Sequence, residues 1–278
     1  MKPTGKQARD SSSHKPILKM KENSKSMNEL GKQTPFKPIT GQTFKFRCHK
    51  EITCFTKCCA NLNLVLTPYD ILRLKNRLDI SSDEFLDRYA ETNIDKHPRF
   101  PMMTLKMNQG QNGRCPFVSA TGCDIYEDRP GACRIYPLGR AAMKVNEEKD
   151  AREKYFIVQE EHCLGFEENR IWSVEEWMAS EGVSGYNAIN DRWLEIISSP
   201  KSLGKKEEIP RKIQMFSMAS YNLDKFRAFL FQSRFFSLFE VPQDLKEKLR
   251  SDDVALMLFS FDWLKFSLFG EKTLQMKS

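Results

Sequence analysis

Residues 115–138 decide the fold of this chain, and they read CPFVSATGCDIYEDRPGACRIYPL. Three cysteines stand in this stretch with seven and nine residues between them, and a second group of cysteines lies upstream within residues 48–59. The candidate metal ligands are Cys48, Cys54, Cys58, Cys59, Cys115, Cys123, Cys133 and Cys163. The first residues contain no apolar run of the length that a signal peptide needs, so we expect a cytoplasmic protein with reduced thiols. Dense thiols in a reducing compartment indicate a soft metal, held either as zinc or as iron in a sulfide cluster.

The net charge of +7 is concentrated near the start of the sequence. Residues 1–41 contain nine lysines and arginines against three acidic residues, which is +6, so the other residues carry only +1. We predict that residues 1–41 form a disordered basic tail, because this polar segment has too little apolar surface to fold. We do not expect nucleic acid as a partner. Since no stretch approaches the roughly 18 apolar residues of a membrane helix, we also expect no membrane span.

Two helix starts follow the first cysteine group. Thr67, followed by Pro68 and by Asp70 three residues after the cap, predicts a helix that ends near Leu78. Ser81, with an acid three residues later, predicts the start of a second helix. Because this second helix is acidic, we interpret the pair as packing over a metal site rather than as a helix-turn-helix that contacts DNA.

Three strands are predicted between the helices. Apolar residues alternate at Met103, Leu105 and Met107, which is the period of a strand. Leu138–Val145 and Lys154–Gln159 are extended candidates on either side of a polar segment, which favours a hairpin. We therefore predict an α+β fold, mostly helical, with one small antiparallel sheet beside the cysteine cluster.

The last part of the chain is predicted to be helical. Ser173 with Glu176 forms a capping box, and an apolar stripe through Tyr186 and Trp193 indicates the helix that follows. Eleven of the twenty phenylalanines lie between residues 216 and 269. We predict a cysteine-cluster metal-binding domain over residues 42–200 and a helical, phenylalanine-rich region over residues 201–278. The phenylalanines predict either a buried core or a groove for a protein partner.

The deciding stretch resembles the YkgJ family, also called the CxxCxxCC or zinc- or iron-chelating domain family. The matching positions are Cys58-Cys59, Cys115-Pro116-Phe117, Cys123 with Ile125 and Tyr126, Arg129-Pro130, Cys133-Arg134, Tyr136-Pro137, and Cys163 with Gly165. The resemblance covers roughly residues 44–167 and departs from the family at the front, where the gaps after Cys48 and Cys54 are five and three residues instead of two. It implies a cysteine-rich metal or iron–sulfur module. One branch of the family is named for flagellin lysine N-methylation.

The thiols themselves restrict the type of centre. A tetrahedral site takes four ligands, and the adjacent Cys58 and Cys59 do not easily point at one ion, so two centres or one polynuclear centre fit better than a single zinc ion. The long gaps in the second cysteine group favour iron–sulfur over structural zinc, whose ligands come in close pairs. Arg129 and Arg134 flank this group and are candidate cofactor-binding residues, either by offsetting thiolate charge or by binding an anionic substrate. His49 and His162 neighbour cysteines and are predicted to support the site rather than to ligate.

Three functions remain open from the sequence. The first is a cytoplasmic metalloprotein that binds an iron–sulfur cluster, or zinc or iron ions, through thiolates. The second is an enzyme similar to a protein lysine N-methyltransferase, although the sequence has no GxGxxG loop and no CxxxCxxC spacing. The third is a binding protein stapled by disulfides.

Overall fold

The computed structural model describes residues 36–39, 41, 43–143 and 152–277. Most of the predicted basic tail lies outside the described residues, as do Lys144, Val145 and the polar segment 146–150 of the predicted hairpin. Phe36–Pro38 form a strand. Folded structure therefore begins before the predicted boundary at residue 42.

Ten short strands pair within the described residues, all of them antiparallel. They are β1 (Phe36–Pro38), β2 (Thr43–Lys45), β3 (Val65–Leu66), β4 (Ala90–Asn93), β5 (Met102–Leu105), β6 (Val118–Ser119), β7 (Gly122–Cys123), β8 (Leu138–Met143), β9 (Arg152–Val158) and β10 (Ile171–Ser173). The strand orders of the four sheets are β1-β9-β8, β10-β2, β3-β5-β4 and β6-β7.

Ten α-helices account for most of the regular structure in the described residues. They are α1 (Pro68–Leu78), α2 (Ser82–Tyr89), α3 (Gly131–Ile135), α4 (Val174–Ser180), α5 (Val183–Ile197), α6 (Ile209–Tyr221), α7 (Leu223–Gln232), α8 (Phe235–Leu238), α9 (Gln243–Ser251) and α10 (Asp253–Phe269). The prediction of a mostly helical α+β fold with small antiparallel sheets is confirmed. Among these helices, none combines the length and the apolar composition that crossing a bilayer would require.

Local capping signals set the predicted helix starts. Thr67 caps α1 in a capping box with Asp70, Ser81 caps α2, and Ser173 caps α4 in a box with Glu176. Each cap satisfies backbone N–H groups that a helix start leaves without partners. These short-range signals are confirmed by the structure because they depend on neighbouring residues alone.

The arrangement of strands differs from the prediction. The hairpin is confirmed, since β8 pairs with β9 and Leu138 lies opposite Ile157. The prediction that the strand near Met103 joins this hairpin in one sheet is wrong, because β5 lies in another sheet between β3 and β4. All four residues of β5 are buried. It is therefore a central strand covered on both faces, not a strand with one buried and one solvent-exposed face.

Two hydrophobic clusters stabilise the described part of the chain. The larger joins α1, α2 and β5 to the C-terminal helices, and in it Phe100 stacks on Phe216 with ring centroids 4.2 Å apart. The smaller surrounds Trp177 and includes Phe44 and Phe46. The buried phenylalanines of the C-terminal helices are Phe216, Phe226, Phe235, Phe239, Phe259 and Phe261. They therefore contribute to the core, while a protein partner at this region stays a prediction.

Candidate metal centre

The first cysteine group lies in a loop that ends in a single turn of 3-10 helix, Lys57–Cys59. Thr56 before this turn and Asn61 after it both have positive φ angles, of 62° and 53°. The chain therefore reverses direction sharply around Cys58 and Cys59. Apart from this one turn, the first cysteine group lies in irregular structure.

The two cysteine groups meet through the backbone. The N–H of Cys115 donates a hydrogen bond of 2.8 Å to the carbonyl oxygen of Cys59, and the N–H of Asn61 donates one of 2.7 Å to the carbonyl oxygen of Gly113. These bonds join segments more than 50 residues apart in the sequence. Cysteines from distant parts of the chain are thus neighbours in the fold.

Cys163 reaches the same region from a third segment. The N–H of Leu164, the next residue, donates to the sulfur of the buried Cys54 at 3.3 Å. The N–H of Arg47 donates to the carbonyl oxygen of Gly165 at 3.0 Å. The residues around Cys163 are therefore held against the start and the middle of the loop that carries the first cysteine group.

Cys123 and Cys133 are positioned by local structure after Cys115. Cys123 lies in β7 opposite Val118 of β6, and the N–H of Val118 donates to the carbonyl oxygen of Cys115. Cys133 lies in the short helix α3, whose first residue, Gly131, donates its N–H to Asp70 at 2.8 Å. The tight turn between β6 and β7 thus brings Cys123 back toward Cys115, although seven residues separate them in the sequence.

Burial raises the pKa of most of these thiols. This holds for Cys48, Cys115, Cys123, Cys133 and Cys163. Although Cys48 is an exposed residue, partial desolvation of its sulfur and the nearby Cys58 and Cys54 raise its pKa to about 11. Burial, with Cys115, Asp70 and Cys123 nearby, raises that of Cys133 to about 12. The thiols are therefore close enough that ionising several together needs a compensating positive charge.

Cys58 and Cys59 titrate in opposite directions because their side chains are hydrogen-bonded. The hydrogen bond from Cys59 lowers the pKa of Cys58 to about 7 despite burial, and the same bond together with burial raises the pKa of Cys59. Cys58 is thus the thiol that ionises first in the metal-free protein.

Nearby backbone N–H groups oppose the effect of burial at three of the sulfurs. Hydrogen bonding from the N–H of Phe117 lowers the pKa of Cys115, that from Ile125 lowers the pKa of Cys123, and that from Gly165 lowers the pKa of Cys163, although burial outweighs each of them. In each case the donor lies two residues after the cysteine. Such bonds stabilise a thiolate over a thiol, and hydrogen bonds to sulfur also tune metal–thiolate centres. The donor chemistry and the converging backbone therefore fit a soft metal.

Tyr136 lies beside Cys163. Its hydroxyl is buried and has no hydrogen-bond partner of ordinary geometry among the described residues. Burial raises its pKa, and the adjacent Cys163 thiol raises it further. The hydroxyl therefore stays protonated and is available to donate to a thiolate at Cys163.

Arg129 and Arg134 are both buried and both contact Glu181. Arg129 forms an ion pair with its carboxylate, and Arg134 donates to its carbonyl oxygen at 2.6 Å. Arg129 also lowers the pKa of Cys123, against the larger effect of burial. This places positive charge near the thiols, as charge compensation requires, while cofactor binding by the two arginines stays a prediction.

Histidines and carboxylates play smaller parts. His49 is partly buried 3.4 Å from the Glu168 carboxylate, and His162 is exposed.

All eight cysteines are free thiols, so the structure contains no disulfide staple. In the parts of the chain that the structure describes, no three histidine, cysteine, aspartate or glutamate side chains are arranged as they would be around one metal ion. Metal ligation by the eight cysteines thus stays a prediction.

Sequence reasoning missed two residues that position the site. Asp70 was recognised as part of a helix cap, but its second bond, to Gly131 beside Cys133, joins residues 61 apart. Glu181 lies just after α4. No sequence motif indicated its role, since its partners Arg129 and Arg134 are about 50 residues away in the sequence. A buried arginine needs a hydrogen-bond acceptor. The sequence therefore implied acceptors for Arg129 and Arg134 if these residues are buried, but it did not identify Glu181 as one of them.

A known protein family matches part of this chain in sequence. Residues 47–164 match the sequence model of the CxxCxxCC family, described as "Putative zinc- or iron-chelating domain". The comparisons with curated proteins and with solved structures gave no match. The matched range begins at the residue before Cys48 and ends at the residue after Cys163, so it contains every cysteine of the chain. Residues 47–164 are therefore similar in sequence to the CxxCxxCC domain.

Proposed function

We propose that the eight cysteines bind iron in one or more iron–sulfur clusters, with zinc as the alternative metal. The observation that carries the proposal is the convergence of the cysteine-bearing segments, in which the N–H of Cys115 donates to the carbonyl oxygen of Cys59 and the N–H of Leu164 donates to the sulfur of Cys54. An N–H group that donates to a sulfur places a positive dipole there and favours the thiolate that binds metal. An iron–sulfur cluster would add one-electron chemistry to this site.

The spacing of the ligands favours iron–sulfur over zinc. Structural zinc sites take close cysteine pairs two to four residues apart. Here the second group has gaps of seven and nine residues, and its members come from a loop, a hairpin and a helix. Ligands from such separate elements suit a larger cluster, which spans more space than one ion.

The environment of the thiols supports their retention of a cofactor. Cys115, Cys123 and Cys133 pack against the larger hydrophobic cluster, and Cys163 packs against the smaller one. Apolar surroundings limit water access and protect metal–thiolate bonds from protonation. A cytoplasmic location, which stays a prediction, would keep the thiols reduced before they bind metal.

Elemental analysis of protein purified without oxygen tests the proposal. Iron accompanied by acid-labile sulfide supports an iron–sulfur cluster, and zinc without sulfide supports the alternative. Absence of both metals contradicts the proposal. Cys133→Ser is the matched variant, since it removes one sulfur at a buried position and is expected to lower the metal content.

The lysine N-methyltransferase alternative rests on the family resemblance. A cleft of about 700 Å³ lies between α1 and the start of α10, and the residues that line it include Arg73, Asp128 and Asp253 but no cysteine, so it lies apart from the candidate metal ligands. Transfer of labelled methyl groups from S-adenosylmethionine to a lysine-rich protein would support the alternative. Absence of transfer by fully metal-loaded protein would contradict it.

A further inference from the structure

The surface formed by α7, α8 and α9 carries two cation–aromatic pairs side by side. The guanidinium carbon of Arg250 lies 4.1 Å from the ring centroid of Phe231, and the Nζ atom of Lys246 lies 5.3 Å from that of Phe236. The two ring centroids are 5.0 Å apart, and both rings are only partly buried. The Nζ atom of Lys277 donates to the carbonyl oxygen of Phe236 at 2.8 Å. We call these five residues the cationic aromatic surface.

The three cations of this surface have no carboxylate beside them. Among the described residues, no aspartate or glutamate forms an ion pair with Lys246, Arg250 or Lys277. By contrast, Lys248 of the same helix α9 lies 3.9 Å from the Asp252 carboxylate. Contact with the aromatic rings already restricts Lys246 and Arg250, so a negatively charged partner meets them at a low cost in side-chain entropy.

Apolar surface and a cleft adjoin the three cations. Leu238, whose carbonyl oxygen accepts the N–H of Lys277, is 49% exposed. A cleft of about 500 Å³ lies at the same place, and its lining residues are Glu240, Val241, Pro242, Gln275 and Lys277. Aromatic residues and arginine beside a concave apolar surface are typical of sites that bind another protein.

The backbone beside the cleft provides a free strand edge. Met276, which is 57% exposed, forms an antiparallel bridge with Phe239, and the residues on either side of the two make the hydrogen bonds of the pair. In such a pair the N–H and carbonyl groups of Met276 point away from Phe239. Within the described part of the chain, neither group is hydrogen-bonded. An extended peptide can therefore pair with this edge.

We infer that the cationic aromatic surface binds an extended, acidic segment of a partner protein. Carboxylates of the segment face the three cations, an apolar side chain contacts Leu238, and the backbone of the segment pairs with Met276. An anionic membrane fits less well, because lipids have no backbone groups for the strand edge. Glu240 also repels the uniform negative charge of a lipid surface, whereas a peptide can place an uncharged residue beside it. This role is separate from metal binding by the cysteines.

Binding of a synthetic acidic peptide tests the inference. The probe is a fluorescein-labelled peptide of alternating glutamate and leucine, and its affinity for the full chain is measured by fluorescence anisotropy. Arg250→Glu is expected to weaken binding by about tenfold or more, because a cation at the contact becomes an anion. Lys248→Glu is the matched control, since it makes the same change of charge on the same helix away from the contact, and it is expected to change the affinity by less than about twofold.

A second peptide keeps the test decisive if a variant fails to fold. With glutamine in place of every glutamate, the peptide is expected to bind the unaltered chain about tenfold more weakly. The inference is overturned if the glutamate peptide does not bind, if the two peptides bind equally, or if Arg250→Glu and Lys248→Glu weaken binding equally. Binding to phosphatidylserine vesicles without binding to the glutamate peptide would indicate a membrane instead and would also overturn it.

Discussion

Asp70 joins the first long helix to the helix that carries Cys133. Its Oδ1 atom accepts the N–H of Gly131 at 2.8 Å, and its Oδ2 atom accepts the N–H of Thr67 at 2.8 Å. The residue is 1% exposed, so these bonds are made out of contact with water. One carboxylate thus completes a helix cap and fixes the start of α3.

Asp70→Ala is therefore expected to destabilise the protein by about 2–4 kcal/mol, because two partly buried N–H groups lose their acceptor. Thr67→Ala is the matched control, since it removes the other half of the same capping box and is expected to cost about 1 kcal/mol. Urea unfolding of identically prepared proteins measures both. Equal destabilisation by the two variants would contradict a role for Asp70 beyond capping.

Phe216 couples the C-terminal helices to the cysteine-bearing part of the chain. It is fully buried, and its ring stacks on Phe100. Phe216→Ala is expected to cost about 3–5 kcal/mol, as for other buried aromatic residues, and Phe216→Leu less than half of that. Because the larger cluster joins both parts, tryptophan fluorescence and far-ultraviolet circular dichroism are expected to report one unfolding transition. Two separate transitions would instead support independent domains on either side of residue 200.

Cys58 is expected to be the most reactive thiol at neutral pH once metal is removed. The hydrogen bond from Cys59 lowers its pKa to about 7, whereas burial raises the pKa of Cys48, Cys115 and Cys133. Since the thiolate is the nucleophile, alkylation of Cys58 should reach half of its maximal rate near pH 7. In Cys59→Ser the midpoint should change, because a hydroxyl replaces the thiol donor. A midpoint above pH 8.5 in the unaltered protein would disagree with this arrangement.

Asp253 is expected to contribute to the decrease in the free energy of unfolding at acid pH. Burial raises its pKa, but hydrogen bonds from Asn76 and Arg227 and the charge of Lys75 outweigh burial, so the pKa is lowered on folding. A carboxyl whose pKa is lowered on folding stabilises the protein above its unfolded pKa, near 4, and loses this contribution as the pH falls through its folded value.

Asp253→Asn should therefore cost on the order of 1 kcal/mol at pH 7 and show a shallower loss of stability in acid than the unaltered protein. Asp252→Asn serves as the control, because an asparagine still caps α10 in place of the Asp252 carboxylate that accepts from Ala255. Urea midpoints across the acid range measure both variants. A loss of stability in acid as steep as that of the unaltered protein would show that Asp253 does not contribute.

Local signals made part of the fold predictable. The start of α1 follows from Thr67, Pro68 and Asp70, and the β8–β9 hairpin follows from two extended segments around a polar segment. The partners of β5 were not predictable, because β3 has two residues and β4 follows a helix without any loop between them. Pairing between such short elements is set by packing of the whole fold rather than by periodicity.

The candidate site was predictable as a set of cysteines but not as an arrangement. Spacing alone indicated that Cys58 and Cys59 do not easily share an ion, yet it did not indicate which segments meet in the fold. Their meeting depends on backbone bonds between distant segments, such as the bond between Cys115 and Cys59. Glu181, which anchors two buried arginines, is equally remote in sequence.

X-ray absorption at the metal edge of anaerobically purified protein tests the central claim most directly. We expect a first shell of sulfur at about 2.3 Å from the metal, accompanied by an iron–iron distance if the centre is an iron–sulfur cluster. A first shell of nitrogen and oxygen without sulfur, or protein that contains no bound metal, would contradict the account.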